Sequence, residues 1–340
     1  MDNIRRISLS TLVLLAAACG GGDVKKDAGV AGASKRLTIA VIPKGTTHEY
    51  WRGVHAGAVQ AKQEMDAAGD SINIIWKGPL REDDREQQVQ VVEGFTSQHV
   101  DGMVLAPLDN RALVRPVEEA KAAGVPTVIV DSGLETENIV SYVATDNHKG
   151  GELAADRLGT LLNGKGKVLL LRYAEGSAST TERERGFMER MKSTYPGMTV
   201  VSSDQYAGTT RESAKKAAEN LLNRFGGDLQ GIFTPNESST IGMLLALQDI
   251  SRAGKVKFVG FDIGPLLIEA MRAKHLDGTA VQNPMRMGYL GVKTIVASIR
   301  KQPFEKHIDT GVTMVTPDNL DSPETQAIVN PPIAKYIGGT

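Results

Sequence analysis

Asp131 and Asp262 stand at matching points of two similar stretches, AGVPTVIVDSG at 123–133 and AGKVKFVGFDIG at 253–264. In each, a short apolar run ends in a carboxylate and a Gly-containing turn, the pattern of a buried strand delivering a side chain to its carboxyl end. Other expected strand ends supply Lys44, Tyr50 and Trp51 early in the chain, then Asn147, Arg183 and Tyr206. Asn236, Phe261 and Gln282 complete the set. Together these offer aromatic faces, carboxylates, amides and a few cations. A polyhydroxylated ring asks for that mixture: its C–H faces stack on rings, and its hydroxyls donate to Asp and accept from Asn, Gln or Arg. Singly, each residue has a plainer reading: Tyr50 and Trp51 as helix core, Asp131 as a turn-former, Arg183 as part of a solvated helix face. Joint placement at strand ends favours a binding site.

Enzyme chemistry finds little support. NGKGK at 163–167 lacks the leading Gly and the Ser/Thr of a phosphate-binding loop, and EGSAS lacks the Gly of a nucleophile elbow. The six histidines show no ligand spacing, and DNLDSPE lacks the turn Gly of a calcium loop. No cofactor, metal or catalytic residue is therefore expected. A formal net charge of −1 gives a polyanion no foothold, so no nucleic-acid partner is expected.

The elements that must position these residues form two like-built halves around VSYVATDNHKGG at 140–151. DGMVLAPLDN before it resembles LQGIFTPNES after it, and the interval from Pro to the following Asp is similar in both halves. The first half reads as strands at 37–42, 72–76, 103–106, 127–130 and 140–145. Its helices begin near Thr47 under a Thr46/Glu49 capping box, after Asp83-Asp84, and at 111–123. The second half reads as strands at 168–171, 199–203, 231–234 and 258–261, alternating with helices at 181–194, 211–225 and 239–253. A short helix, a strand at 278–281, a helix at 285–300 and a strand at 308–315 follow. Residues 318–340 are Pro-rich and expected along the surface. Such alternation implies α/β architecture with parallel sheets covered on both faces. Open parallel sheets bind ligands beyond the carboxyl ends of their strands.

The N-terminus reads as an address. Arg5 and Arg6 precede an apolar run at 7–18, too short to span a bilayer, ending in LLAAAC with the chain's one cysteine, Cys19. This resembles the lipobox of bacterial lipoproteins, except that Ala16 holds the usual Leu position. It implies a signal peptide at 1–19, acylation of Cys19, and a small, polar, flexible tether at 20–35. The remaining chain, about 300 residues, suffices for two domains.

From 37 to 315 the chain resembles the periplasmic ribose-type sugar-binding proteins, type I substrate-binding components of ABC transporters. The resemblance rests on Tyr50-Trp51, VIVDSG, VATDN…GG, TERERGF, FTPNE, VGFD and VQNPMRMG in that order. It implies two Rossmann-like lobes joined by three hinge crossings near 145/146, 282/283 and 310/311. The N-terminal lobe would take 36–145 and 283–310, the C-terminal lobe 146–282 and 311–330. A monosaccharide or related ligand would be enclosed between lobes that close on it, by a monomer anchored as a periplasmic or cell-surface lipoprotein. An ABC permease with its ATPase would be the partner. In the resemblance Tyr50, Trp51 and Phe261 sandwich the sugar, and Asp131, Asp262, Arg183, Asn147, Asn236 and Gln282 bind its hydroxyls. Departures matter too: ribose binders carry Arg where Ser132 stands, often Asn where Ala106 stands, and a neutral loop where Lys44 and His48 stand. The expected ligand is therefore not ribose. A chemoreceptor co-binder shares these features. A LacI-type repressor core would need a helix-turn-helix where the signal and tether stand.

Overall fold

Strand and helix alternate along the computed structural model, which describes residues 36–338. The first half contributes β1 (Leu37–Ile42), α1 (Glu49–Ala67), β2 (Ile72–Trp76), α2 (Arg85–Ser97), β3 (Gly102–Leu105), α3 (Val114–Ala122), β4 (Thr127–Val130) and β5 (Tyr142–Ala144). Next come α4 (Asn147–Leu161), β6 (Gly166–Leu170), α5 (Ala178–Thr194), β7 (Met198–Ser202) and α6 (Arg211–Phe225). β8 (Gly231–Phe233), α7 (Glu237–Asp249), β9 (Lys257–Phe261), α8 (Pro265–Arg272) and β10 (Gly278–Gln282) follow. The chain closes with α9 (Pro284–Ile299), β11 (His307–Asp309), β12 (Val312–Val315), α10 (Pro323–Val329) and α11 (Ile333–Ile337). The signal segment, Cys19 and the tether lie outside the described residues.

Two six-stranded sheets result, ordered β11-β5-β4-β3-β1-β2 and β12-β10-β9-β8-β6-β7. The first is parallel throughout; in the second only the edge pair β10–β12 is antiparallel. Alternate residues feed opposite faces, as the two-residue repeat of a strand requires. Ile39 and Val41 of β1 join one core cluster while Ala40 and Ile42 join another. In β8, Ile232 and Phe233 divide in the same way between the clusters of the second sheet.

The chain passes between sheets after β5, after β10 and between β11 and β12. The last passage corrects the expected continuous strand at 308–315. The run breaks at Thr310–Gly311, where Gly311 adopts φ +86° and the chain leaves one sheet edge for the other. The expected Thr46/Glu49 capping box is also not formed. His48 is the N-cap of α1 without a side-chain bond, because its ring is held by Glu82 instead. Asp84 does cap α2, accepting from the Gln87 amide at 2.9 Å. The Pro-rich C-terminal segment is more than a surface trace. Leu320 and Val329 enter the core of the second sheet, and α11 packs on α1.

Candidate functional site

At the carboxyl ends of β4 and β9 the backbone makes the same unusual turn. Asp131 has φ +64° and Asp262 φ +67°, left-handed conformations that Asp tolerates better than most side chains but that still carry strain. Both carboxylates are buried, so each needs partners. Asp131 pairs with Lys44 Nζ at 2.9 Å and accepts from the Tyr50 hydroxyl at 2.9 Å. Asp262 accepts from Gln282 Nε2 at 2.7 Å and from the backbone N–H of Glu237, at the start of α7, at 3.0 Å. Burial pushes the Asp262 carboxyl up to about 6, against the pull of Arg183 and the Gln282 bond, with Glu237 and Asp131 adding to the rise.

Arg183, buried on α5, lies with its guanidinium 3.9 Å over the Phe261 ring and donates to Asn147 Oδ1 at 2.8 Å and to the Pro235 carbonyl at 3.0 Å. Asn147 in turn donates to the Asp131 carbonyl at 3.4 Å. Asn236 caps α7, accepting from the Ser239 amide at 3.2 Å. Five of the six polar side chains foreseen as hydroxyl partners, Asp131, Arg183, Asn236, Asp262 and Gln282, thus line one cleft, and Asn147 stands behind them, committed to Arg183 and the Asp131 carbonyl. A bond to a charged group of this kind is worth roughly twice a neutral one.

The aromatic expectations distribute differently. Tyr50 and Trp51 pack edge to face, 5.0 Å between centroids, and both line the cleft. Phe261 is fully buried beneath Arg183, and its ring edge lies so close to Gly150 that a Cβ there would sit at 2.8 Å. It supports the arginine from below. Tyr206 is 41% exposed, covered on one face by Arg172 at 4.5 Å, and does not line the cleft.

Glu82 is the residue that the sequence did not reveal. It accepts from Trp51 Nε1 at 2.7 Å, pairs with His48 Nδ1 at 2.8 Å and receives the Tyr173 hydroxyl from the other lobe. Burial alone would push this carboxyl up, but His48 and Lys44 draw it down to about 2. Burial alone would likewise lower the His48 imidazole; Glu82, with Glu237 and Asp262 beyond it, instead holds it at about 9. In sequence, Glu82 opens the run EDDRE, which reads as a helix start in water. Ser179, Thr180 and Glu237 also line the cleft unforeseen, though Glu237 stands inside the FTPNE motif.

Several of these bonds join the two lobes. Lys44 Nζ reaches Ser179 Oγ at 3.0 Å, the Ser179 amide donates to Ser132 Oγ at 3.0 Å, and the Tyr50 amide donates to Glu237 Oε2 at 3.2 Å. The cleft is accordingly closed around a polar cavity of about 30 Å³, space for a water or two. One polar atom of a lining residue is unmatched: Gln282 Oε1 is buried without a hydrogen-bond partner. Among the described residues no group of three or more His, Cys, Asp or Glu could hold a metal, and no helix is long and apolar enough to cross a membrane.

Known proteins share this architecture. The family model of the periplasmic binding protein domain matches residues 39–303. The ribose import binding protein of Bacillus subtilis (strain 168) is 30% identical over 236 residues, 69% of this chain and 75% of its own. A carbohydrate transporter solute binding protein from Agrobacterium radiobacter, solved in complex with D-arabinose, matches with a TM-score of 0.81 at 31% identity, covering 87% of this chain and 100% of that one. An ABC transporter solute binding protein from Agrobacterium vitis with bound D-fucose matches with a TM-score of 0.81 at 34% identity, covering 86% of this chain and 99% of that one. The chain belongs to the periplasmic binding protein family, in its ribose-type branch, and is a binding protein rather than an enzyme.

Proposed function

We propose that this chain binds a monosaccharide or related small polyhydroxylated ligand between its two lobes and delivers it to an ABC permease driven by its ATPase. The observation that carries the reading is the pair Asp131 and Asp262, strained alike at equivalent strand ends and facing one polar cleft. Arg183, Asn236 and Gln282 supply the amide and cationic partners that ring hydroxyls need, Asn147 orients Arg183 from behind, and Tyr50 and Trp51 supply the apolar faces. Relatives solved with D-arabinose and D-fucose support a sugar-sized ligand. The lobes divide at 145/146, 282/283 and 310/311, and they move about these points. Lys44 and His48 make the first-lobe loop cationic, which favours a ligand other than ribose.

A thermal-shift screen of the purified protein against pentoses, hexoses and polyols tests the reading. A true ligand at a hundredfold excess over Kd adds about 2.7 kcal/mol of stability. If no polyhydroxylated compound raises the melting temperature, the sugar reading is wrong. The protein acts as a monomer held at a membrane through acylated Cys19. Labelled fatty acid should enter the wild type and not Cys19→Ala; equal labelling of both would remove the anchor.

A further inference from the structure

Next to the polar cleft lies a second cavity, of about 210 Å³ and of different character. Tyr50, Asp262 and Gln282 line both cavities and form their shared wall. Beyond that wall the lining is aliphatic. Ile263 and Ile268 come from the turn after β9 and from α8, Val281 and Pro284 from either side of the β10–α9 passage, and Ile328 and Ile333 from the C-terminal segment. Most of these side chains are only half-buried, so apolar surface remains open to the cavity. Glu49 and Asn330, the other polar side chains of the lining, are exposed and keep their water. An apolar cavity of about 150 Å³ is enough to hold benzene. This one has room for a phenyl-sized group.

We propose that the ligand is a glycoside, its sugar taken into the polar cleft when the lobes part, which separates Tyr50 from Asp262 and Gln282, and its apolar, phenyl-sized substituent lodged in this side chamber. The proposal rests on the sugar-binding reading above and narrows it. Gln282 stands at the junction. Its Nε2 is committed to Asp262, and its buried Oε1 is free to accept from a hydroxyl next to the substituted carbon. An apolar ring in the chamber removes aliphatic surface of the protein from water together with its own. A free sugar leaves the chamber to solvent.

Isothermal titration of the full-length protein decides the matter, using D-ribose, D-allose, D-arabinose and D-fucose and the methyl and phenyl glycosides of each. A phenyl glycoside should bind at least about tenfold more tightly than its methyl counterpart, ~1.4 kcal/mol. Ile328→Trp and Ile268→Trp fill the chamber from two different elements, and thermal melting shows whether each folds. A folded variant of either kind should lose the phenyl advantage while its Kd for the methyl glycoside or free sugar stays within about twofold of wild type. Phenyl and methyl glycosides binding alike, or an advantage that survives both substitutions, overturns the chamber. Failure of every sugar and glycoside to bind rejects the sugar reading itself; free-sugar binding without a phenyl advantage rejects this proposal alone.

Discussion

Asp262 couples the site to pH because burial holds its carboxyl close to neutrality, at about 6. A deprotonated Asp262 accepts from Gln282 and the Glu237 amide and, with sugar bound, from a ligand hydroxyl; protonation removes the charge that strengthens these bonds. Sugar affinity should therefore fall as pH drops through about 6, and Asp262→Asn should flatten that dependence. Its own affinity should be lower by about ten- to a hundredfold, from loss of a charged hydrogen bond worth roughly 1.5–3 kcal/mol. Titration calorimetry from pH 5 to 8 on both proteins checks this; a wild-type Kd constant over that range refutes the role. His48 acts on stability in the other half of the range. Its folded value, about 9, lies above the unfolded 6.5, so the folded state binds the extra proton. The stabilisation is complete below pH 6.5 and lost as pH rises through about 9. The wild type should lose on the order of 3 kcal/mol over that window, and His48→Gln should not. At this scale the sequence showed the amide and carboxylate partners, because strand ends are legible from apolar runs. It hid Glu82 and the burial of Phe261, since both depend on which side chains of the opposite element fill the space.

Tyr50, Asn147 and Arg183 are held in place by two helix pairs, each joined through glycines. Where α1 meets α9, a Cβ on Gly57 would fall 1.8 Å from the Met285 carbonyl oxygen, and one on Gly288 would fall 1.9 Å from that of Val54. Where α4 meets α5, the same holds for Gly151 against Arg183 at 1.9 Å and Gly186 against His148 at 2.1 Å. The two lobes thus use the same device, and three of the four glycines, Gly151, Gly186 and Gly288, are conspicuous in motifs, GG at 150–151, ERGF and MRMG, whose reason is close backbone approach. Gly186→Ala must push α4 and α5 apart and tilt Arg183 out of reach of Asn147. It should cost about 1–3 kcal/mol of stability and weaken sugar binding as well. Gly94, on α2, is the control: a Cβ there meets nothing within 4 Å. Gly94→Ala should leave affinity unchanged and raise stability by up to about 1 kcal/mol. Denaturant melts with parallel titrations separate the two; equal effects from both substitutions would show that packing at the α4–α5 crossing does not position the site.

The two halves of the molecule were visible as an internal likeness, and so was the division into sheets, because strand and helix periods differ and repeat in order. Their closure was not visible. It depends on side chains far apart in the chain, such as Lys44 with Ser179, 135 positions on, and Glu82 with Tyr173, 91 positions on. Nor was the course of the C-terminal segment, which leaves the second sheet's core at Val329 and lays α11 on α1. These contacts give the closed form a stability of its own, independent of ligand, and the balance between open and closed sets the apparent affinity. If closure is only fractionally populated, Kd rises in proportion as that fraction falls. Tyr173→Phe removes a cross-lobe donor to Glu82 without altering the carboxylates or amides that would hold a sugar. Losing such a bond to a charged partner costs about 1.5–3 kcal/mol, so the open form should gain at least tenfold. Small-angle scattering of the ligand-free variant should then give a larger radius of gyration than the wild type. Saturating sugar should bring both to the same smaller value, with Kd weakened for the variant. A variant whose ligand-free radius and Kd both match the wild type would mean that the lobes are held closed by something other than these bonds.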